Sequence, residues 1–280
     1  MAEASLFVVE FLNRWLVFVF SLLLRPFRGV DPIWPLLLLS FLTGLAMLWV
    51  FGRVSNQDSI RRVKKGIQGN LLGVRLFQHN VRVVLGLQAR ILRETLIYLK
   101  HSLLPMLVVI PPLLVIVIHL NLHFERAPLP LGTSAIVKVK LASGLDLEQK
   151  MELVASDGVT VETPPVRIVA NNEVSWRVRA ERAGQHKLRI QVGEDTIEKE
   201  LYAGERWGAV SPFRTRSLLH LIQFPGEAPI PLDSRIDVVG VSYPQLSLEI
   251  LGWDLHWLVL FFLLSVASAF VFRRPLGVEI

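Results

Sequence analysis

The chain has 280 residues, 52% of them hydrophobic and 19% charged, with a formal net charge of +6 and a mean hydropathy of +0.46. That balance is too apolar for an ordinary soluble domain and too charged for a bundle buried wholly in lipid, so it points to a membrane protein with an extramembrane domain, and the strand-rich texture of residues 130–205 makes the expected class α+β. Cysteine is absent, which excludes a disulfide framework, a thiol nucleophile and a Cys-ligated metal.

The N-terminal segment, residues 1–30, opens on LFVVEFLNRWLVFVFSLLL (Leu6 to Leu24), long enough to cross a bilayer yet carrying Glu10, Asn13 and Arg14. Glu10 and Arg14 stand four apart on one helix face. The segment reads as a span with a polar groove or as a helix in the membrane interface with a self-neutralising surface pair; the rarity of intramembrane charge favours the second. No cleaved leader is expected, because MAEAS lacks a basic n-region.

Residues 34–53, 103–123 and 254–272 each approach the roughly 20 apolar residues that a membrane helix needs. Between the first two lies segment 54–102. Counted from Arg53 to His101, this region carries ten Lys or Arg against two acids, Asp58 and Glu94. The positive excess collects there, since Glu125 to Gly252 holds 15 basic and 17 acidic residues. The positive-inside rule places 54–102 in the cytoplasm and 124–252 outside, and the last span returns Arg273 and Arg274, in the tail 273–280, to the cytoplasm. Trp34, Trp49, Trp253 and Trp257 fall near span ends, where amphipathic rings prefer to sit. Arg61, Arg62, Lys64 and Lys65 read as an anchor on anionic headgroups, with an acidic partner such as ribosomal RNA or a nascent chain as the alternative. No aromatic residues interleave this patch, so no specific nucleic-acid partner is expected.

Within 54–102 apolar residues recur at steps of three and four: Ile60, Val63, Ile67, Leu71 and Val74, then Val81, Val84, Leu85, Ile91, Leu92, Leu96 and Leu99. The pattern slips around Phe77–Asn80, which predicts two antiparallel helices, about 57–77 and about 80–101, each burying its stripe against the other. Ser55 or Asn56 is the expected cap. One continuous helix over the whole segment would run roughly 70 Å and could not return its ends to one membrane. Pro111–Pro112 predicts a kink or an opening inside the span 103–123.

Residues 130–205 change texture. Seven short runs at 135–142, 150–156, 159–163, 166–170, 173–181, 186–192 and 196–203 are separated by turn signals such as Asp157–Gly158 and Asn171–Asn172. Seven strands around Trp176 predict an extracytoplasmic immunoglobulin-like β-sandwich. Segment 206–252 is expected to be irregular and packed on the sandwich or membrane: an amphipathic helix over 211–224, a turn-rich PGEAPIPL (225–232), and further strands in 236–251. Glu227 and Tyr243–Pro244 read as loop positions beneath the sandwich.

Chemistry is sparse. His119 and His123 stand four apart near one span end and His256 begins the next span, so the three are the candidate metal ligands; no third ligand is fixed by spacing. No phosphate-binding glycine loop, nucleophile elbow or zincin helix is present. The expectation is a non-enzymatic protein with no catalytic residue, no cofactor and no metal, whose partners are the lipid bilayer and proteins in the membrane or periplasm.

The order span, basic cytosolic helical hairpin, span, outer segment, span, carried by Pro35–Leu122 and Trp253–Arg274, resembles the minimal core of the YidC/Oxa/Alb membrane insertase superfamily. That resemblance implies a bacterial inner-membrane assembly factor whose hairpin meets nascent membrane-protein clients and whose spans form a polar groove open to the cytoplasm. In this chain the span 34–53 offers only Ser40 and Thr43 as polar groups before Arg53. The alternative is a structural or accessory subunit of a larger membrane complex or transporter, with the β-sandwich as docking module. The run from Lys64 to Leu114, with Trp253, His256 and Trp257, is also similar to a group of bacterial membrane proteins; that likeness implies no activity.

Overall fold

A computed structural model describes residues 2–142, 149–250 and 252–278. Leu251, at the end of one expected strand run, and residues 279–280 of the tail lie outside the described residues. The fold is α+β. The order is α1 (Ala2–Leu24), a 3-10 turn (Arg25–Phe27), α2 (Ile33–Val54), α3 (Gln57–Leu76), α4 (Val81–Phe124), β1 (Ser134–Leu141), β2 (Met151–Ala155), β3 (Val159–Val161), β4 (Val166–Ile168), β5 (Glu173–Ala180), β6 (Gly184–Val192), β7 (Asp195–Ala203), β8 (Phe213–Thr215), α5 (Leu218–Gln223), β9 (Ile236–Val241), β10 (Leu248–Ile250), β11 (Trp253–Leu255) and α6 (Trp257–Phe272). Two compact units divide the chain: Met1–Pro35 with Val117–Trp257, and Leu36–Ile116 with Leu258–Ile280.

The first unit is built on antiparallel sheets. One has the order β3-β5-β1-β9-β8, with β4 also paired to β5; another has the order β2-β6-β7. Strict alternation makes this possible: β1 and β6 expose and bury successive residues, and Val137, Val139, Trp176, Val178, Leu188, Ile190 and Leu201 enter one apolar core. Asn172 takes the left-handed conformation (φ 54°) where β4 turns back into β5, and its side chain donates to the Leu141 and Ala142 carbonyls at 3.2 and 3.1 Å. Helix α1 joins this unit through Asn13, whose amide donates to the Leu221 carbonyl at 3.0 Å, and through Phe20, stacked on His119 at 5.2 Å. Glu10 and Arg14 form the expected i,i+4 pair at 3.4 Å, while Phe11, Trp15, Phe18 and Leu22 remain exposed along the helix.

The second unit is helical. Helix α3 starts at Asn56, whose side chain accepts the Ser59 N–H at 3.0 Å, with Asp58 in the first turn. It lies antiparallel to α4: Leu87 fills the space above Gly73, Asn70 donates to Glu94 at 3.2 Å, and Lys64 stands 5.7 Å from the centre of the Tyr98 ring. Helices α2 and α6 meet through small residues. Ser265 Oγ donates to the Ser40 carbonyl at 3.0 Å, Ser268 Oγ to the Ser265 carbonyl at 2.8 Å, and Gly44 faces both serines.

Four expectations are corrected. The second hairpin helix and the following apolar segment are one helix of 44 residues that continues through Pro105, Pro111 and Pro112; no glycine lies between Tyr98 and Pro105 to end the helix there. The hairpin stripes are covered only in part: Ile60 is buried and Val63, Ile67, Val74, Val84 and Ile91 are half-buried, but Leu71, Val81, Leu85, Leu92, Leu96 and Leu99 are exposed. Gly66, Asn70 and Gly73 draw α3 onto the Leu87–Glu94 face of α4, which turns the leucines outward. Residues 213–215 are strand, paired with β9, so only Leu218–Gln223 of the expected 211–224 helix forms. The last apolar helix begins at Trp257, because Trp253–Leu255 pair with β10. Among the described residues two helices, Ile33–Val54 and Val81–Phe124, are long and apolar enough to cross a membrane; α6, with 16 residues, is shorter.

Candidate functional site

Two features in separate units hold the unusual chemistry. The first is a buried ion pair. In β7 the residues at Ile197, Lys199, Leu201 and Ala203 point inward by period-two alternation, so Lys199 enters a core position. Its ammonium group is fully buried and donates to the Ser211 carbonyl at 2.8 Å, the Glu200 carbonyl at 3.2 Å and Oε1 of Glu227. Those three acceptors use all three ammonium donors. The other Glu227 oxygen accepts the Glu200 N–H at 3.3 Å. Burial pushes the Lys199 ammonium down from its ordinary value and the Glu227 carboxyl up, and their mutual attraction opposes both.

Two tyrosines extend the network. Tyr202 donates from its hydroxyl to the Glu200 carboxylate at 2.7 Å, and the Tyr202 N–H donates to the Tyr243 hydroxyl at 3.1 Å, which donates to the Glu200 carbonyl. Burial raises both phenols. Arg214 donates from Nε to the Ala228 carbonyl at 2.9 Å and from its guanidinium to the Glu198 carbonyl. Together Lys199 and Arg214 pin the Pro/Gly-rich 225–232 loop to β7. With its donors saturated, Lys199 has no lone pair to offer a carbonyl substrate. The arrangement is a clasp. Beside it lies a cavity of about 470 Å³, where Glu10 and Arg14 of α1 face Glu198, Glu200 and Arg214.

The second feature is the surface of the α3–α4 hairpin. Leu85, Leu92, Leu96 and Leu99 keep between 49% and 63% of their area exposed, and Leu72, Leu76 and Phe77 near the turn are also open. Of the basic residues singled out by sequence, Arg61 donates to the Gly277 carbonyl at 3.3 Å and Arg62 to the Asp58 carbonyl and Ser59 hydroxyl, both at 3.3 Å. Lys64 stacks on Tyr98, Lys65 is exposed, and Arg273 lies 5.4 Å from the Phe270 ring centre; the Arg274 carbonyl accepts the Gly277 N–H at 3.0 Å.

The histidines part company. His119 and His123 are buried one turn apart on α4, and His123 Nδ1 lies 2.9 Å from the His119 carbonyl. His256 pairs with Glu125 at 3.2 Å. Among the described residues no group of three His, Asp or Glu side chains is placed to hold a metal ion.

Lys199 is the residue that reading the sequence missed. Its signal was present, as the one charged residue at an inward position of the TIEKELYA alternation, yet its partner lies 28 residues downstream in an irregular loop. Comparison with protein-family models, with characterised proteins and with solved structures finds no match to this chain.

Proposed function

We propose that this chain is a multi-pass membrane protein acting as a non-enzymatic accessory subunit of a membrane assembly. In this reading the basic hairpin stands in the cytoplasm, the two facing sheets form an immunoglobulin-like sandwich outside, and α1 lies in the outer interface with its apolar stripe in lipid. The supporting observation is the hairpin's outward row of leucines: a water-exposed apolar face of this extent on one element marks a protein-binding surface. The insertase reading needs a polar groove among the spans. Ser40, Thr43, Ser265 and Ser268 are all buried, and three of these hydroxyl residues are engaged in hydrogen bonds within or between α2 and α6. That packing favours the subunit reading.

The test is photo-crosslinking of the intact protein in cells from positions on the exposed hairpin face, such as Leu96. One stoichiometric adduct, to a membrane protein or to the chain itself, is expected. A ladder of ribosomal proteins and nascent chains would instead assign the hairpin to membrane-protein insertion.

A further inference from the structure

The exposed leucines of α4 follow a stricter rule than an amphipathic face requires. Leu85, Ala89, Leu92, Leu96, Leu99 and Leu103 are spaced 4, 3, 4, 3 and 4 residues apart, and every one is exposed. Met106 and Ile110 continue the alternation into the apolar half of the same helix and are exposed too. A straight helix turns about 100° per residue, so a 3.5-residue period held over this length stays in contact with a neighbour only if two helices supercoil. The seam also differs from the face used inside the hairpin. Leu87, Glu94 and Tyr98 meet α3, and the seam residues stand on average roughly 160° around the helix from them by the same rotation. Helix α4 therefore has two working faces, and α3 occupies one.

We infer that the second face is the seam of a parallel two-stranded coiled coil with a second copy of this chain. This inference rests on the reading of the hairpin as the cytoplasmic part of a membrane subunit. Three observations choose the occupant. First, the seam runs from the charged half of α4 into its uninterrupted apolar half, so a covering helix must be apolar in both environments and keep the same register. A second copy with the same membrane orientation meets both demands without adjustment. Second, the seam alternates in the heptad sense, with Leu85, Leu92 and Leu99 at one core position and Ala89, Leu96 and Leu103 at the other. Third, the flanks decide the direction. One edge carries Gln88, Thr95 and Ser102 and the other carries Arg93 and Lys100. In a parallel pair each edge meets the opposite kind, setting Gln88 near Arg93 of the second copy and Thr95 near its Lys100, hydrogen-bonding groups against cations. An antiparallel pair would bring cation against cation.

The chain contains no cysteine, so single substitutions report contacts without background. In the full-length protein in native membranes, Leu92→Cys and Leu99→Cys are expected to give disulfide dimers on mild oxidation. Arg90→Cys, exposed on the far side of α4, is not. Equal crosslinking at Arg90, or none from the seam, would overturn the proposal. Leu92 and Leu99 are exposed in the single chain, so the double variant Leu92→Lys, Leu99→Lys leaves its fold intact. Purified in detergent or lipid discs, it should dissociate with a Kd at least about tenfold higher than the parent protein; an unchanged Kd would also overturn the proposal. The two readings fail separately. A single foreign partner on the seam without self-crosslinks removes the second copy and leaves the subunit reading in place. Seam disulfides accompanied by ribosome adducts leave the coiled coil and remove the subunit reading.

Discussion

At the scale of single residues, the Lys199–Glu227 pair is where one substitution has the largest and most diagnostic effect. Taking two charges out of water is costly, and here three acceptors on the ammonium and a backbone N–H on the carboxylate compensate for it. Removing one partner leaves the other buried and unpaired, with an expected loss of about 3–5 kcal/mol. The pH dependence separates the two single variants. In Lys199→Met the lone carboxyl stays buried only when protonated, so its folded pKa lies above its unfolded one and the folded state holds the extra proton. Stability then falls as pH rises from the ordinary glutamate range through the raised folded-state value. In Glu227→Gln the lone amine stays buried only when neutral, the unfolded state holds the extra proton, and stability rises with pH from the lowered folded-state value up to the ordinary lysine range. Thermal unfolding across pH should show opposite slopes for the two variants, and the Lys199→Met, Glu227→Leu double variant should recover stability relative to either. Parallel slopes would mean that the pair is not the buried contact described.

At the scale of elements, glycine positions sort the helix packing. A Cβ at Gly44 would collide with the Ser268 hydroxyl and the Ser265 carbonyl, and the second of these is backbone that cannot rotate away. Gly69 in α3 faces open space. Gly44→Ala should therefore force α2 and α6 apart at a cost of about 1–3 kcal/mol, while Gly69→Ala should stabilise α3 by up to about 1 kcal/mol through helix propensity alone. Detergent thermal melts of the two variants should move in opposite directions; a stabilising Gly44→Ala would contradict the close contact. These elements also mark what the sequence made legible. Alternation placed β1, β5, β6 and β7 to within a residue or two, because one face of each strand must enter the core. Periodicity located α3 and α4 but not which face of α4 would be covered, since Gly66 and Gly73 carry no hydrophobic signal and yet decide where the helices touch. Strands β8 and β11 were hidden for a related reason. Three residues hold too little pattern, and both form only because β9 and β10 offer edges.

At the scale of the whole molecule, the unresolved choice in the sequence was whether the N-terminal helix crosses the bilayer. Its contacts bear on that choice. Asn13 is buried against the Leu221 carbonyl and Phe20 stacks on His119, while Phe11, Trp15, Phe18 and Leu22 face outward and Arg14 is 73% exposed beside its Glu10 partner. A crossing helix would have to place that exposed guanidinium in hydrocarbon, whereas one lying in the interface keeps it at the water boundary and buries the aromatic stripe. The charge distribution gives the rest of the expected arrangement, with His79 in the hairpin turn inside and Asp157 in a sheet turn outside. In intact cells a membrane-impermeant maleimide should therefore label Asp157→Cys and Arg14→Cys but not His79→Cys, which should react only after the membrane is opened. Trp15→Cys, one residue from Arg14 but on the apolar stripe, should react far more slowly than Arg14→Cys. If Arg14→Cys stays silent while Asp157→Cys is labelled, α1 crosses the bilayer and the Glu10–Arg14 pair is an intramembrane one. If His79→Cys is labelled from outside, the orientation is inverted, and the cytoplasmic placement assumed for the α4 coiled coil falls with it.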